Sequence, residues 1–554
     1  MSYSCVLSKR LQCDLELLLN GGFNPLTGFL NENDYTSVVK NMRLSNGEIW
    51  PMPIVLPIEK ELSENYKIGN EIILCNEENL PLAKMDIESI FEPDLVKECE
   101  CVFDSADENH PYVKIVMSYK NCLYLGGKTS KIRDIHHFDF CDIRLTPNQT
   151  KEFFKANKWD NIVGFQTRNP MHRSHYELTR YAMKKGNAKL FLNPVVGITQ
   201  DCDIDYSTRV KCYKKLMKHY PEGDAILCLL PLSMRMAGPR EAVWHALIRK
   251  NYGCSHFVVG RDHAGPSYKK KDGSDFYGPY EAQDLLLSVA HEIGIKCILS
   301  KMIVYAINKN DTTDCKYAAI DTINEDEYSI MKISGTQQRA MLRNGEPLPR
   351  WFTFPEIQEE LVKQFKPDNK KGLCLYFIGL SGAGKTTIVN ALKEKMTEYT
   401  ERNISILDGD VVRQNLSKGL GFTKEDRSTN VRRIGYVASE IVKHDGIILC
   451  SNIAPYDEDR LVNRSLMENL GIYIQVYVKT AINNCEERDV KGLYKLAREG
   501  KIKQFTGISD PFEEPTVNEL TIDGGNSTTI TENVNKIIEY LLKKGILMNN
   551  IVSV

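Results

Sequence analysis

The sequence predicts a multidomain α/β protein, with a β-rich domain at the N-terminus followed by two domains built on parallel sheets. With 554 residues, the chain is long enough for about three to five domains. From about residue 150, apolar strands alternate with helical segments, which is typical of a doubly wound parallel sheet. The alternation restarts after a polar, basic segment near residue 370. Ligands of such sheets bind at the carboxyl ends of strands, where each motif described below begins.

The composition is that of a globular protein with small-molecule partners. Hydrophobic residues make up 42 % and charged residues 26 % of the chain. Because 71 Lys and Arg nearly balance 73 Asp and Glu, no global positive field would attract nucleic acid or an anionic membrane. The 16 cysteines are scattered, the first residues lack an apolar signal core, and no apolar run is long enough to span a bilayer. We therefore expect a cytoplasmic protein with free thiols, no nucleic-acid partner and no membrane partner.

Residues 1–140 are predicted to form the β-rich domain. Their apolar segments are short and are separated by turn residues, and sustained helical periodicity is weak, so strands are favoured. The predicted strand segments are IWPMPIVLPI, NEIILC, YVKIVMSY and CLYLGG.

Two α/β domains follow. Residues 141–362, which include a small C-terminal subdomain, contain three strand-then-helix pairs: NIVGFQT with HRSHYELTRYAMKKG, DAILCLLP with GPREAVWHALIRKN, and HFVVGRDH with PYEAQDLLLSVAHEIG. Residues 363–372 (KQFKPDNKKG) are polar and interrupted by Pro367, as expected for a linker. Residues 373–554 form the last domain, with predicted strands LCLYFIGL, ISILDGD, GIILCSNIA and IYIQVYVKT.

The last domain carries a complete phosphate-binding loop. The segment GLSGAGKT fits the pattern GxxxxGK[ST], follows an apolar strand and opens a helix. Its glycines let backbone N–H groups surround phosphate oxygens, Lys385 reaches the terminal phosphates, and the Thr386 hydroxyl suits Mg²⁺. The alternative is a chance glycine-rich turn. The predicted ATP-binding residues are Gly379, Leu380, Ser381, Gly382, Ala383, Gly384, Lys385, Thr386 and Thr387.

Two aspartates follow the next strand of this domain. The strand ends in LDGD, which places Asp408 and Asp410 at the same edge of the sheet. A carboxylate there can hold Mg²⁺, for which Asp408 with Thr386 is the candidate site, or accept the proton of an attacking hydroxyl. Ordinary turn aspartates are the alternative. Four arginines follow, several of them positioned for an anionic second substrate: Arg413, Arg427, Arg432 and Arg433, the last two with a solvated helix face as the alternative.

Nearly all of residues 373–545 resemble the adenylylsulfate kinase family. The resemblance rests on DGDVVRQNLSKGLGF, DRSTNVRR, KGLYKLAREGKIKQFTG and DPFEEP. It implies a P-loop kinase fold and transfer of the ATP γ-phosphoryl group to the ribose 3′-hydroxyl of adenosine 5′-phosphosulfate (adenylylsulfate). By matching position, the implied roles are Asp410 as base; Arg413, Arg427 and Asn430 on the phosphosulfate; Phe422 and Phe505 around the adenine; and Lys491 on a mobile segment that closes over the site.

One position departs from that family. Many members have SPYR where this chain has APYD, so Ala454 replaces a serine that can be phosphorylated and Asp457 replaces an arginine. An alanine cannot form a phosphoester, which excludes a phosphoserine step. Direct in-line transfer does not need the serine, because positioning and charge neutralisation carry phosphoryl transfer. Asp457 removes a positive charge near the nucleotides, which would affect rate or affinity.

A second cationic motif, QTRNPMHRSHYELTR, lies in the preceding domain. It contains three arginines, two histidines and one acid, Glu177. A helix that begins here puts His172 and His175 on one face. Zinc ligation is one alternative, although the arginines would repel a dication and a matching third ligand is absent, and a pair of structural histidines is another. The preferred interpretation is a helix N-terminus that receives a triphosphate, with the histidines donating hydrogen bonds.

With three further segments, this motif resembles the ATP sulfurylase (sulfate adenylyltransferase) family over about residues 15–360. The segments are VGRDHAGPS, MRMAGPRE and ISGTQQRAMLRNGEPLPRWF. The resemblance implies a PUA-like N-terminal domain and a Rossmann-like nucleotidylyltransferase domain. By matching position, Gln166 and Arg168 would bind sulfate beside the Ala264 backbone, and Thr167, Arg168 and Asn169 would form the catalytic turn. His172, His175 and Arg261 would stabilise charge at the α-phosphorus and on pyrophosphate, and ATP would contact Gln166, Asn169, Gly260, Arg261, Asp262 and His263.

The mechanism that the family implies is in-line attack by a sulfate oxygen on the α-phosphorus of Mg-ATP, without a covalent intermediate. Sulfate is fully ionised near neutral pH, so no base is required, which accounts for the shortage of acids in the motif. A carboxylate there would raise the barrier, whereas arginines and donating imidazoles lower it. Glu177 and Arg180 are assigned to the helix surface.

The sequence therefore predicts a bifunctional enzyme that makes activated sulfate from sulfate and two ATP, with Mg²⁺ accompanying ATP and adenylylsulfate as the intermediate. In one alternative, the C-terminal domain is a regulatory nucleotide-binding module, as in filamentous fungal sulfurylases, although a sensor has no need of Lys385 and Asp410. In another, the sulfurylase runs backwards and forms ATP during sulfur oxidation. The resemblance also implies a homo-oligomer.

Overall fold

The computed structural model describes residues 3–200, 203–489, 492–525 and 527–548. The chain divides into two compact units, Met1–Gln338 with Pro347–Gln364, and Arg339–Glu346 with Phe365–Val554. Each unit buries hydrophobic clusters of its own. Within the described ranges, no helix is both long enough and apolar enough to cross a membrane.

The first unit opens with a six-stranded sheet. Its elements are β1 (Tyr3–Val6), α1 (Lys9–Leu19), β2 (Gly28–Phe29), α2 (Glu32–Asn41), β3 (Leu56–Glu59), β4 (Glu71–Cys75), β5 (Pro81–Phe91), α3 (Leu95–Phe103), α4 (Pro111–Met117) and β6 (Cys122–Lys131). The strand order is β1-β4-β5-β6-β2, with β3 also paired to β6. Only the β1–β4 pair is parallel among these strands. The β-rich prediction for this region is confirmed.

One strand predicted for this domain is wrong, and of the predicted strand IWPMPIVLPI only the last three residues lie in β3. The first six residues of the segment YVKIVMSY lie in the helix α4, because its start carries helix signals that outweigh the strand preference of its Val and Ile. Pro111 occupies the first turn, where its fixed φ and missing N–H are tolerated. The His110 ring accepts the N–H groups of Tyr112 and Val113 at 3.2 and 3.3 Å. The helices α1, α2 and α3, which the sequence did not predict, are short and are capped by Ser8, Asn31 and Asp94.

A buried carboxyl group lies in the core of this domain. Glu98 Oε2 accepts the hydroxyl groups of Tyr35 and Tyr124 at 2.8 and 3.2 Å. Burial raises the pKa of Glu98 from 4.5 to about 7. Between these values the folded protein keeps a proton that the unfolded chain loses. The stabilisation is therefore complete below pH 4.5 and is lost as the pH rises through about 7, by at most about 1.4 kcal/mol per pH unit.

We expect Glu98→Gln to flatten this pH dependence. The amide is neutral at every pH, and its oxygen can still accept a tyrosine hydroxyl. The variant should resemble the wild type near pH 5 and gain unfolding free energy relative to it near pH 8. Denaturant titrations of the first unit's transition at both pH values measure this, and equal pH slopes for the two proteins would contradict it.

The N-terminal sheet shares a hydrophobic core with the domain that follows it. A buried ion pair joins the two, because Arg235 Nη2 donates to Asp14 Oδ2 at 2.6 Å and each side chain is 2 % exposed. The Arg235 guanidinium also lies over the rings of Tyr112 and Trp244. These contacts anchor the MRMAGPRE segment to the first domain.

The second domain is a five-stranded parallel sheet with helices. Its elements are α5 (Pro147–Ala156), β7 (Ile162–Phe165), α6 (Arg173–Gly186), β8 (Lys189–Leu192), α7 (Tyr206–Met217), β9 (Ala225–Leu227), α8 (Gly238–Asn251), β10 (His256–Val259), α9 (Glu281–Ile293) and β11 (Lys296–Leu299). The strand order is β11-β10-β7-β8-β9. The chain moves outward from β7 to β9 and then returns to the other side of β7, so the order reverses between β7 and β10. This is the switch point where sheets of this kind bind ligands.

A small antiparallel sheet also belongs to the first unit. It contains β12 (Ile303–Asn308), β13 (Cys315–Ala319) and β14 (Tyr328–Met331) in the order β13-β12-β14. The helices α10 (Gly335–Arg343) and α11 (Pro355–Gln364) follow. α11 packs on α7, where Lys215 pairs with Glu360 at 2.8 Å.

The second unit is also built on a five-stranded parallel sheet. Its elements are β15 (Leu373–Ile378), α12 (Lys385–Met396), β16 (Ile404–Asp408), α13 (Gly409–Gln414), α14 (Lys424–Lys443), β17 (Ile447–Ser451), α15 (Asp457–Glu468), β18 (Ile472–Lys479), α16 (Ile482–Arg488), α17 (Leu493–Arg498), β19 (Leu520–Asp523) and α18 (Ile530–Lys543). The order is β16-β17-β15-β18-β19, with β15 buried along its whole length. The four strands predicted from the sequence are all present, and β19 was not predicted.

Candidate active sites

The first candidate site is a cavity of about 430 Å³ at the carboxyl ends of β7 and β10. Ten of the eleven residues that the sequence nominates for the cationic motif's site line this cavity: Gln166, Thr167, Arg168, Asn169, His175, Gly260, Arg261, Asp262, His263 and Ala264. The fold thus brings together residues almost a hundred positions apart. His172, the eleventh, does not belong to the lining.

The turn after β7 is braced by α7. Within the turn, Thr167 Oγ1 donates to Asn169 O at 3.0 Å and accepts Asn169 N–H at 3.1 Å. From α7, Arg209 Nη1 donates to Arg168 O at 2.9 Å and the Tyr213 hydroxyl donates to Asn169 O at 2.8 Å. Arg209 and Tyr213 are buried. Neither residue could be predicted from the sequence, because no motif marks them and only the fold brings α7 under the turn.

Arg168 is paired with an acid. Its Nη1 forms a close ion pair with Asp203, and its Nη2 donates to Ser267 Oγ at 3.3 Å. A second acid, Asp262, lines the cavity beside Arg261 at 3.3 Å. The shortage of acids is therefore a property of the motif: the fold places Asp262 in the cavity lining beside Arg261, and Asp203 behind the lining beside Arg168.

His172 is buried beside the cavity lining, at the start of α6. Its Nδ1 lies 2.9 Å from Thr353 Oγ1, and its Nε2 lies 3.2 Å from Gln338 Nε2. The ring packs on Phe352, with centroids 4.4 Å apart. Burial, with a smaller effect from His175, lowers the pKa of His172 to about 3, so the ring is neutral. The sequence did not reveal these neighbours, which arrive from a segment over 160 residues later.

His175 offers a defined donor to the cavity. The backbone N–H of His172 donates to His175 Nδ1 at 3.2 Å. Burial lowers the pKa of His175 to about 4, so the ring is neutral near pH 7. With Nδ1 acting as acceptor, the ring proton lies on Nε2. His175 can therefore donate a hydrogen bond to an anion without being protonated.

A chain of buried polar groups stands behind the loop that follows β10. His263 Nε2 lies 3.1 Å from His245 Nδ1, and His245 Nε2 lies 3.3 Å from Glu241 Oε1. The Glu241 carboxylate accepts the N–H groups of Arg235 and Ala237 at 3.0 and 2.8 Å. Burial lowers the pKa of His263 to about 3, which makes this imidazole neutral too. The first cavity therefore combines two arginines with neutral donors, which suits a polyanionic ligand.

Two charges of the cationic motif point elsewhere. Arg180 and Glu177 form an ion pair at 3.6 Å on the surface of α6. Neither residue lines the cavity, which agrees with their predicted place on the helix surface.

The second candidate site is a cavity of about 830 Å³ in the second unit, at the carboxyl ends of β15, β16 and β17. Its lining includes Ser381, Gly382, Ala383, Gly384, Lys385, Thr386, Thr387, Asp408, Asp410, Arg413, Phe422, Arg427, Asn430 and Phe505, all of them nominated from the sequence. Gly379 and Leu380 are not in the lining. Their carbonyl oxygens accept the Lys385 ammonium at 2.9 and 2.7 Å. Lys491 lies outside the described residues.

Oxygen ligands converge beside the phosphate loop. Thr386 Oγ1 donates to Asp408 Oδ2 at 2.8 Å and lies 3.3 Å from Ser451 Oγ. Asp408 Oδ1 accepts the N–H of Asp410 at 2.9 Å. Hydroxyl and carboxylate oxygens are the ligands that Mg²⁺ prefers, and this ion usually keeps several waters and binds substrate phosphates as well. These residues fit the predicted Mg²⁺ site, and Ser451 is a neighbour that the sequence analysis missed. Among the described residues, no group of three or more His, Cys, Asp or Glu is arranged to hold a metal ion.

The arginines of the second cavity are held by internal partners. Arg427 donates to Thr506 Oγ1 at 2.6 Å and pairs with Asp510 at 3.0 Å. The Arg413 guanidinium lies over the Phe422 ring at 4.5 Å from its centroid. The buried Asn430 Oδ1 has no partner among the described residues, which leaves an acceptor beside the cavity. Arg432 pairs with Asp459 and Glu458, Arg433 donates to Leu416 O, and neither arginine lines the cavity.

Asp457 is engaged in the fold and does not line the cavity. Its Oδ1 accepts Arg460 Nη2 at 2.7 Å, and its Oδ2 accepts the Thr516 hydroxyl at 2.5 Å. The carboxylate charge is therefore neutralised within a clamp between α15 and the segment before β19. The effect on nucleotide binding that the sequence analysis anticipated from Asp457 is reduced by this pairing.

We expect Ala454→Ser to leave product formation in the second cavity nearly unchanged, within about threefold. Ala454 lines this cavity, and direct phosphoryl transfer needs no hydroxyl there. Product release under saturating substrates measures the rate, and mass spectrometry of the protein checks for a phosphoserine. A rate loss above tenfold, or stoichiometric phosphorylation during turnover, would contradict direct transfer.

Further residues of the second cavity had no sequence signal. They lie at the end of α16, from the end of β19 onward and in α18, where no motif marks them: Arg488, Asp489, Asp523, Gly524, Gly525, Thr528, Ile530 and Asn533.

Comparisons with known proteins cover both units. Three family models match the chain: a PUA-like domain over residues 2–134, ATP-sulfurylase over residues 141–364, and adenylylsulphate kinase over residues 371–523. Similar curated proteins include the sulfate adenylyltransferase of Chaetomium globosum, 41 % identical over 98 % of this chain and 94 % of the relative, and that of Gibberella zeae, 42 % identical over 98 % and 93 %. A solved structure titled "Hexameric APS kinase from Thiobacillus denitrificans" matches with a TM-score of 0.77 and 28 % identity, covering 99 % of this chain and 94 % of that chain.

Proposed function

The chain belongs to the sulfate adenylyltransferase family and carries an adenylylsulfate kinase domain, and from that premise we propose that it makes activated sulfate in two ATP-dependent steps. Both enzyme classes are present in one chain, and the family and fold predicted from the sequence are confirmed. The first step joins ATP and sulfate into adenylylsulfate and releases pyrophosphate. The second transfers the γ-phosphoryl group of another ATP to adenylylsulfate, which gives 3′-phosphoadenylylsulfate.

In the first step, a sulfate oxygen attacks the α-phosphorus, and the bond from that phosphorus to pyrophosphate breaks. Arg168 and Gln166 would hold the sulfate, with the Ala264 backbone beside it. Because sulfate is already ionised, no residue has to remove a proton. His175 would donate from Nε2, and Arg261 would neutralise the charge that develops on the leaving pyrophosphate. His172 would support this donor, since its backbone N–H fixes the His175 ring.

In the second step, the 3′-hydroxyl of adenylylsulfate attacks the γ-phosphorus and ADP leaves. Asp410 would take the hydroxyl proton, and Lys385 would neutralise the transferring phosphoryl oxygens. Thr386 and Asp408 would hold Mg²⁺, which would supply charge neutralisation between the phosphates when bound. Arg413, Arg427 and Asn430 would bind the phosphosulfate, Phe422 and Phe505 the adenine.

The observation that carries the proposal is the completeness of the second cavity. Lys385, Thr386, Asp408 and Asp410 converge in one space of about 830 Å³ together with Arg427. A domain that only senses the product would not need a phosphate-loop lysine, a metal-binding hydroxyl and a base in one cavity. The first cavity supports the first step of the proposal, because its arginines and neutral hydrogen-bond donors suit a nucleophile that needs no base.

A regulatory role for the C-terminal domain is the second candidate function. The observation that favours it is the name of the full-length fungal relatives, which mentions the adenylyltransferase alone.

One incubation separates these candidates. Purified protein receives Mg-ATP, labelled sulfate and pyrophosphatase, and the labelled nucleotides are resolved by chromatography. We expect 3′-phosphoadenylylsulfate. Label that stops at adenylylsulfate would remove the kinase from the proposal and favour a regulatory domain. Label that stays in sulfate, in a folded protein, would overturn the first step, and ADP release with purified adenylylsulfate would then decide the second.

We also propose that the protein is a cytoplasmic homo-oligomer. The similar Thiobacillus denitrificans structure is titled as a hexamer. Every described cysteine is a free thiol, which suits a reducing compartment. Light scattering of the purified protein would test the oligomer, and a monomer at micromolar concentration would exclude it.

A further inference from the structure

We propose that Asp203 is a positioning residue of the sulfate site, which fixes the Arg168 side chain and sets how strongly that arginine attracts sulfate. The inference rests on the proposed function, in which Arg168 is the sulfate ligand. Asp203 does not line the cavity, so it acts through Arg168 and not on the substrate.

Four residues, including the two of the ion pair, form a closed ring of hydrogen bonds through side-chain and backbone atoms. Arg168 Nη1 donates to Asp203 Oδ1, and Arg168 Nη2 donates to Ser267 Oγ at 3.3 Å. The Ser267 N–H donates to Gln200 Oε1 at 3.1 Å. Gln200 then closes the ring, because its backbone N–H donates to Asp203 Oδ2 at 3.3 Å and its backbone carbonyl oxygen accepts the Asp203 backbone N–H at 3.0 Å. The ring joins the turn after β7, the segment before α7 and the loop after β10.

Burial makes this pair stronger than an ordinary surface ion pair. The side chains of Arg168 and Asp203 are 14 % and 5 % exposed. Gln200 is also buried. Charges with little access to water are screened weakly, and removing one partner leaves the other uncompensated. The Arg168 backbone is held independently by Arg209, so Asp203 governs the side chain and not the turn.

Asp203 therefore has two effects that substitutions can separate. It orients the guanidinium by hydrogen bonding, and it offsets the guanidinium charge. An asparagine keeps an oxygen for Arg168 Nη1 and removes the negative charge. Its amide NH₂ replaces Oδ2, so the 3.3 Å bond from the Gln200 backbone N–H is lost. An alanine removes the oxygen and the charge together. The two variants should therefore shift sulfate affinity in opposite directions.

The test measures KM for sulfate and for ATP in the first reaction of the full-length protein. For Asp203→Asn we expect KM for sulfate to fall about threefold, because Arg168 stays oriented and its charge is no longer offset. For Asp203→Ala we expect KM for sulfate to rise about tenfold or more, because the side chain is free to leave the cavity. KM for ATP should change less than twofold in both. In the reverse reaction, KM for adenylylsulfate should follow the shifts for sulfate, and KM for pyrophosphate should not.

Asp224→Asn is the matched control, since Asp224 pairs with Lys189 at the other edge of the same sheet and should leave both KM values unchanged. Shifts of equal sign and size for sulfate and ATP in the two Asp203 variants would indicate a structural role only. Unchanged KM for sulfate in both would overturn the inference. A wild type that forms no adenylylsulfate would instead overturn the proposed function, so the two failures are distinguishable.

Discussion

Lys385→Ala should stop the second reaction and leave the first intact, so that labelled sulfate accumulates as adenylylsulfate. The Lys385 ammonium donates to two carbonyl oxygens of the phosphate loop, at 2.9 Å from Gly379 O and 2.7 Å from Leu380 O. An incoming triphosphate would exchange these two acceptors for phosphate oxygens. In the Lys385→Ala variant, the charge that spreads over the transferring phosphoryl group lacks its main protein counter-charge. We expect this to lower the rate by about 10²- to 10³-fold or more.

The measurement is ADP release with purified adenylylsulfate as the acceptor, and pyrophosphate release with sulfate as a check on the first reaction. Lys393→Ala is a matched control, because Lys393 is an exposed lysine of the same helix, α12. The variant should change neither rate. A Lys385→Ala protein that phosphorylates adenylylsulfate at the wild-type rate would contradict the proposed kinase site.

His175→Ala should abolish the first reaction in both directions, with a loss of about 10²- to 10³-fold. The imidazole does two things that can be separated. Its Nδ1 accepts the His172 N–H, which supports the start of α6, and its Nε2–H is the donor left for the substrate. Asparagine can replace the Nδ1 acceptor, whereas glutamine can place an amide N–H near the Nε2 position.

We therefore expect His175→Asn to fold normally and remain inactive, and His175→Gln to recover part of the activity. Initial rates of adenylylsulfate formation and thermal unfolding of each variant measure the two effects. Equal activity for Asn and Gln would show that the donor at Nε2 is not used. Because the ring is neutral, the wild-type rate should also show no protonation of this group between pH 6 and pH 8.

The strand-and-loop motifs of both sites could be predicted because their chemistry is local. GLSGAGKT and LDGD each occupy one strand end, and parallel strands bring their carboxyl ends to one edge. The motif beginning at Gln166 and the GRDH segment lie next to each other for the same reason, since they follow β7 and β10, which are neighbours at the point where the strand order reverses. Periodicity and turn residues were sufficient for these parts.

The partners of those motifs could not be predicted from the sequence. Asp203 and Arg209 lie 35 and 41 positions after Arg168, and no pattern links them to it. Their roles follow from the packing of α7 beneath the turn, which depends on the whole sheet. The misassigned segment YVKIVMSY shows a different limit of sequence-based prediction. Pro111 and the His110 cap favour a helix there, although the apolar residues alone favour a strand.

The segment that covers His172 determines where the adenylyltransferase can be separated from the kinase by protein engineering. Phe352 O accepts the Arg173 N–H at 3.1 Å, and Thr353 Oγ1 lies 2.9 Å from the His172 ring. Both belong to Pro347–Gln364, which returns to the first unit after the small antiparallel sheet. A fragment that ended with that sheet, near residue 331, would keep all the cavity-lining residues and still expose the first turn of α6. The minimal adenylyltransferase fragment must therefore run through α11.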